Sequence, residues 1–162
     1  MGCPDCFLPW HPDHMTRPSI FAYAGGAPAF RALAADFHAR CVVDPHLEHP
    51  FSHTSDPHHV DHLAEYWGEV LGGPPTYSEQ RIGHSGMLDM HARNGMEPAL
   101  VSSFVRCFDQ AVEAQLPPDP ALRGTLHDYM VWATSEVYGY DAPDSVVPGD
   151  LPMPRWTWSG PA

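Results

Sequence analysis

The chain has 162 residues, 43% hydrophobic and 17% charged, enough for one sizeable core and too apolar for a charge-rich disordered chain. Eight basic residues, all of them arginine, stand against 20 acidic ones, a net charge of −12. A surface of that sign repels phosphate backbones and argues against nucleic acid as a partner.

Residues 1–18 carry four prolines (Pro4, Pro9, Pro12 and Pro18) and no apolar period, so they read as an extended arm. Within it, Cys3, Cys6, His11 and His14 form a donor set suited to tetrahedral zinc. Their middle loop is much shorter than in a zinc finger, and an arm with a redox-labile cysteine pair is the favoured reading. Met1-Gly2 opens like a myristoylation site, but Cys6 stands where Ser or Thr is wanted. No basic-then-apolar leader and no apolar run of about 18 residues is present, so the expectation is a cytoplasmic chain outside the membrane, with reduced thiols. Cys41 and Cys107 then read as small core hydrophobes.

From Phe30 to Val137 the pattern is helical. Behind a Gly25-Gly26-Ala27-Pro28 turn, Phe30, Leu33, Ala34, Phe37 and Cys41 fall on one helical face. Asp44-Pro45 predicts a short helix, and Asp56-Pro57 an N-cap with proline in the first turn. Val60, Leu63, Ala64, Trp67, Val70 and Leu71 make a second face, which ends at Gly72-Gly73-Pro74-Pro75. Residues 72–96 carry only Met87, Leu88 and His91 at helical spacing, so this stretch reads as a long functional loop with a short helix that sets an imidazole on an apolar surface. A third face runs from Leu100 through Val101, Phe104, Val105 and Phe108 to Ala111 and Val112. A fourth, behind an Asp119-Pro120 cap, carries Leu122, Leu126, Tyr129, Met130, Ala133 and Val137. Prolines exclude a long helix from 139–162, and no strand-like alternation of useful length occurs. The expected fold is all-α, with four principal helices and short satellites: an arm over 1–18, a helical domain over 19–138 and a Pro/Trp-rich tail over 139–162.

The composition has one outlier, 12 histidines against no lysine. His46, His49, His53, His58, His59 and His62 crowd into one stretch. His58 and His62, at i and i+4, have a spacing able to hold Zn or Cu, though a solvated polar face with Asp61, Glu65 and Glu69 is the favoured reading.

The string Gly72-Gly73-Pro74-Pro75-Thr76-Tyr77-Ser78-Glu79-Gln80-Arg81, followed by Gly83-His84, Met87-Leu88 and His91-Ala92, resembles the approach to the proximal helix of group II truncated haemoglobins. Gly25-Gly26 before a Phe-rich helix and Met153-Pro154-Arg155-Trp156 with Trp158 resemble actinobacterial members of that group. The resemblance implies a two-over-two helical sandwich around haem b, with His91 as proximal iron ligand. There is no Cys-x-x-Cys-His for covalent attachment.

Residue by residue, the resemblance puts His38 and Phe51 at positions that often carry Tyr, and Phe104 where the group typically has Trp. His59, Leu63 and Tyr66 share the haem-facing side of the next helix, and Trp67 packs below them. Tyr77, Met87 and Arg81 join the cofactor-binding set. Arg81 takes part of a propionate-pairing role, because Met90 stands where many relatives have Arg. Two imidazoles thus replace the usual oxygen-holding donors, which leaves three chemistries for His38 and His59. They could hydrogen-bond an iron ligand; His59 could be the sixth iron ligand; or they could perform acid–base catalysis on peroxide. The bland alternative has His59 merely lining the entrance.

The function implied is a haem-b globin that binds dioxygen or nitric oxide and activates oxygen or peroxide, or converts nitric oxide to nitrate, with a reductase as partner. A small organic substrate would be favoured by a cavity enlarged at Phe104. The rival readings are a non-catalytic gas carrier or bis-His sensor, and a haem-free helical metal buffer. Monomer and homodimer stay open.

Overall fold

Apolar residues at helical spacing have to be buried on one side, and the chain does this with four long helices joined by four short ones. In the computed structural model, which describes residues 17–52 and 56–162, the order is α1 (Ile20–Ala24), α2 (Gly26–Cys41), α3 (Glu48–Ser52), α4 (His59–Val70), α5 (Thr76–Gln80), α6 (Gly83–His91), α7 (Pro98–Gln115) and α8 (Pro120–Tyr138). The arm, with its Cys3, Cys6, His11 and His14, lies outside the described residues up to Thr16, and so does His53.

Helix α2 packs against both α4 and α7, and α7 packs against α8. This gives two helix pairs, one laid over the other. Phe37 of α2 sits at their junction, fully buried, with ring centroids 4.8 Å from Phe104, 5.3 Å from Trp67 and 6.2 Å from Phe108. Phe30, Leu33 and Ala34 on α2, Ala111 and Val112 on α7, and Leu122, Leu126 and Met130 on α8 complete the core. Fully burying each large apolar side chain contributes about 1.5–3 kcal/mol, the term that holds the pairs together. Cys41 and Cys107 are buried free thiols inside this core. Burial pushes both thiols above their ordinary pKa, which makes them unreactive packing residues.

Helix boundaries follow local chemistry. Gly25 ends α1 and caps α2 at once, with φ of 115°, a left-handed conformation that glycine adopts without a Cβ penalty. The predicted turn over 25–28 is therefore shorter than expected. Asp119 caps α8 by accepting from the N–H groups of Ala121 and Leu122, with Pro120 in the first turn as the sequence predicts. Asp56 does not cap α4 directly: its carboxylate closes a turn on His58 N, and the helix starts at His59.

Two further expectations are corrected. Residues 72–96 are mostly helical, in α5 and the nine-residue α6, rather than a long loop. The tail contains a small hairpin, β1 (Trp156–Thr157) paired with β2 (Gly160–Pro161), and it is docked. Trp156 packs on Tyr129 and Trp132 and donates Nε1–H to Thr125 Oγ1 at 3.3 Å. Trp158 donates to Pro18 O at 2.7 Å beneath the Arg17 guanidinium. Earlier in the tail, Asp141 accepts from Gly95 N and Met96 N, and Leu151 N donates to Ser85 Oγ. These anchors are side-chain specific, so a search for strand periodicity could not reveal them.

Candidate functional site

Helices α4 and α6 each carry two polar rings seven residues apart. Seven residues turn a helix through nearly two full turns, so each pair shares one face about 10 Å apart. On α4 the pair is His59 and Tyr66; on α6 it is His84 and His91. The two stripes meet at one end, where Tyr66 OH lies 2.8 Å from His84 Nδ1. Toward the other end His59 and His91 remain close enough for their charges to couple.

His91 ends α6 and is exposed, with Nδ1 2.8 Å from the carbonyl oxygen of Met87 one turn back. A carbonyl only accepts, so Nδ1 carries the proton and Nε2 keeps a free lone pair. That is the tautomer a metal-ligating imidazole needs, with its ring oriented by the same bond. Leu88 is fully buried and Met87 half-buried beside it.

Opposite stands an aromatic wall. His38 of α2 has its ring centroid 5.3 Å from His59 and 5.7 Å from Phe51 of α3. Phe51 also meets His59 at 5.9 Å and Phe104 of α7 at 6.3 Å. Leu63, one turn after His59, is half-buried against the core. The structure thus brings His38, Phe51, His59 and Phe104 into one cluster. His59 Nε2 is buried and has no hydrogen-bond partner among the described residues. Burial, with the neighbouring His38 second, lowers its pKa, so the ring is neutral at pH 7.

Other predicted residues have different neighbours. Trp67 is committed to the core, edge-on to Phe37 and Phe108. Tyr77 is buried edge-on against Tyr66 at 5.0 Å. Arg81 is held at the surface by Glu65, Nε to Oε2 at 3.0 Å. Phe104 packs on Phe37, and a groove of about 820 Å³ runs between α7 and α8. His62 pairs with Asp56 at 3.0 Å and His58 lies 3.8 Å from Asp61. Among the described residues no group of three or more donors is set to hold a metal ion.

His84, to which the sequence reading gave no role, is buried, at 6% exposure. Its seven-residue spacing from His91 was the available signal. That spacing becomes informative only if α6 is recognised as a full helix.

Residues 19–131 match the family model for bacterial-like globins. The chain belongs to that family. Among solved structures, the haemoglobin of the thermophilic phototroph Chloroflexus aurantiacus is 29% identical, with a TM-score of 0.65 over 75% of this chain and 98% of that one. A thermostable haemoglobin from the actinobacterium Thermobifida fusca is 25% identical, with a TM-score of 0.62 over 78% and 99%. The group II truncated haemoglobin of Bacillus anthracis shares the fold at 19% identity, with a TM-score of 0.66 over 75% and 91%.

This globin therefore has the two-over-two fold of group II truncated haemoglobins, and as a member of the family it binds haem b and a diatomic gas. Its own residues fit that group. They include an apolar wall, an imidazole with a free Nε2, and a buried imidazole nitrogen that nothing among the described residues satisfies. No helix among the described residues is long and apolar enough to cross a membrane.

Proposed function

We propose that this globin holds haem b through His91 Nε2 and uses His38 and His59 to move protons at a bound oxygen-containing ligand, which makes it a haem protein that activates peroxide and oxygen. The observation that carries this reading is the partnerless, buried His59 Nε2 beside His38. A buried polar nitrogen without a hydrogen bond costs about 1–3 kcal/mol, a cost that makes sense if a ligand supplies the partner. A neutral imidazole also accepts a proton, which an indole or a phenol does not do near pH 7.

When bound, haem supplies the iron at which the oxygen–oxygen bond is polarised and reduced. The residues supply the rest. Nδ1–H of His91 on Met87 O fixes the ring so that Nε2 faces the metal. His59 Nε2 takes the proton that peroxide gives up and returns it to the oxygen that leaves as water, the acid–base work expected of an imidazole in hydrogen-bond reach. His38 lies behind His59 as a second acceptor, while Phe51, Phe104 and Leu63 exclude water. Tyr77, Met87 and Tyr66 close the other end, and Arg81 lies at the surface for a propionate. Conversion of nitric oxide to nitrate, or oxidation of a small organic substrate, falls under the same reading and needs a reductase for continued turnover. A cytoplasmic setting suits that supply.

One observation favours a second reading. The same buried His59 Nε2, unpartnered among the described residues, would also suit His59 as the sixth iron ligand of a gas carrier or redox sensor. Spectra of the reduced, haem-loaded protein separate the two. A five-coordinate ferrous haem, with peroxide reaction lost in His59→Ala and weakened in His38→Ala, supports the enzyme. A six-coordinate low-spin ferrous haem that becomes five-coordinate in His59→Ala supports the sensor and overturns the enzyme reading.

A further inference from the structure

The Tyr66–His84 bond has no part in that scheme and closes the far end of the slot. Three buried tyrosines stand on or near these helices, and they differ in what their hydroxyls can reach. Tyr129 OH is fully buried with no hydrogen-bond partner among the described residues. Tyr77 packs its ring on Tyr66, and its hydroxyl makes no hydrogen bond among the described residues. Tyr66 OH alone sits on a base, His84 Nδ1, at 2.8 Å, with the two rings stacked 6.2 Å apart and 24° from parallel. No other acceptor is within reach of Tyr66 OH among the described residues, so the phenol donates and the imidazole accepts.

We propose that Tyr66 and His84 form a redox-active tyrosine–base pair that gives up one electron to the haem site when peroxide is reduced there. This inference rests on the peroxide reading above. Hydrogen peroxide is the two-electron oxidant, and a haem bound here would pass it electrons and take one back from Tyr66. As that electron leaves, the Tyr66 O–H bond breaks, the proton forms an N–H bond at His84 Nδ1, and a neutral phenoxyl radical stays on Tyr66. The second electron would come from the bound haem.

The geometry suits this step in three ways. Tyr66 and His84 stand on the helix faces that carry His59 and His91, two turns from each. Burial disfavours phenolate at Tyr66 and imidazolium at His84 alike, so in the resting protein the proton stays on oxygen and moves only when the electron leaves. Tyr66 is also distinguished from Tyr23, the other hydroxyl with a basic partner. Tyr23 is exposed on α1 and bonds Asp119, whose basicity is weakened by the hydrogen bonds from Tyr23 and from two backbone N–H groups.

The test is electron paramagnetic resonance on haem-loaded protein frozen after mixing with hydrogen peroxide, with the optical change of the haem followed in parallel. The wild type should give a free-radical signal whose hyperfine pattern collapses when ring-deuterated tyrosine is incorporated. Tyr66→Phe should lose most of that signal. His84→Gln keeps an acceptor but offers no base, and should lose much of it with Tyr66 still in place. Tyr23→Phe, at the exposed hydroxyl on Asp119, should leave it unchanged. If Tyr66→Phe fails to load haem, isotope labelling and His84→Gln decide between the outcomes. A haem that reacts with peroxide but gives no tyrosine signal, or one indifferent to both Tyr66→Phe and His84→Gln, overturns the pair and leaves the peroxide reading intact. A haem that does not react with peroxide overturns both.

Discussion

The two walls of the slot treat their histidines in opposite ways. On the α6 wall every imidazole has a protein partner: His91 bonds Met87 O and His84 bonds Tyr66. On the wall built by α2, α3 and α4, neither His38 nor His59 has a side-chain hydrogen bond among the described residues, and His59 Nε2 is buried with nothing to bond. A partnered imidazole has its tautomer and orientation fixed, which suits holding a metal or a proton in one place. An unpartnered one destabilises the fold but keeps its nitrogen for a ligand. Under the proposed function, iron is held on one wall and its ligand is met on the other.

The contrast is broken most severely at His91. Replacing His91 by Ala should weaken haem binding by more than about 100-fold, since losing only the group that orients a metal-bound imidazole already costs about 10–100-fold. Titration of the haem-free chain with haem, read at the Soret band, measures this. Full retention with an unchanged spectrum would remove His91 from the assignment. A smaller effect is expected at His84. His84→Leu leaves the Tyr66 hydroxyl buried and unsatisfied and should cost about 1–3 kcal/mol in urea unfolding of the haem-free chain. The opposite sign is expected on the other wall: His59→Leu removes an orphaned nitrogen and should leave stability unchanged or raise it by as much as about 1 kcal/mol. If both substitutions destabilise equally, the partnered and unpartnered walls are not different in kind.

How much of this could be read from the sequence follows from what periodicity reports. The four long helices were legible because Phe30 to Cys41, Val60 to Leu71, Leu100 to Val112 and Leu122 to Val137 repeat at helical spacing, and that period is the burial pattern itself. Asp119-Pro120 was legible because its cap is local, whereas Asp56-Pro57 misplaced a boundary by serving a preceding turn. The distal cluster came from family resemblance. No period announces that His38, Phe51, His59 and Phe104, from four helices, will meet. His84 received no role because Gly83 and Gly86 hide the start of α6, although the tail holds that helix through Ser85. The docking of Trp156 and Trp158 is tertiary and side-chain specific, and a tail with five prolines and three glycines gives no periodic sign of it.

The smallest expected effect tests the buried histidines by pH. Burial lowers the pKa of both His84 and His59 from the ordinary 6.5. The unfolded chain therefore binds protons near pH 6.5 that the folded chain refuses, and protonation favours the unfolded state. Stability of the haem-free chain should be flat above about pH 7 and should fall on acidification from about pH 6.5, until the lowered folded-state values are reached. Carboxylates do not blur this window. Asp119, with its pKa lowered chiefly by the Tyr23 hydrogen bond, and Asp56, with its pKa lowered chiefly by His58 N–H, have ordinary values of 3.8 and act only in more acidic solution. The urea midpoint at pH 5.5 against pH 7.5 gives the measurement. His84→Leu should shrink the difference despite its lower overall stability, and His59→Leu should shrink it while leaving stability at pH 7.5 intact. A wild-type midpoint that rises on acidification would mean that the folded imidazoles take up protons readily, and the wall facing His91 would then hold charged rather than neutral rings.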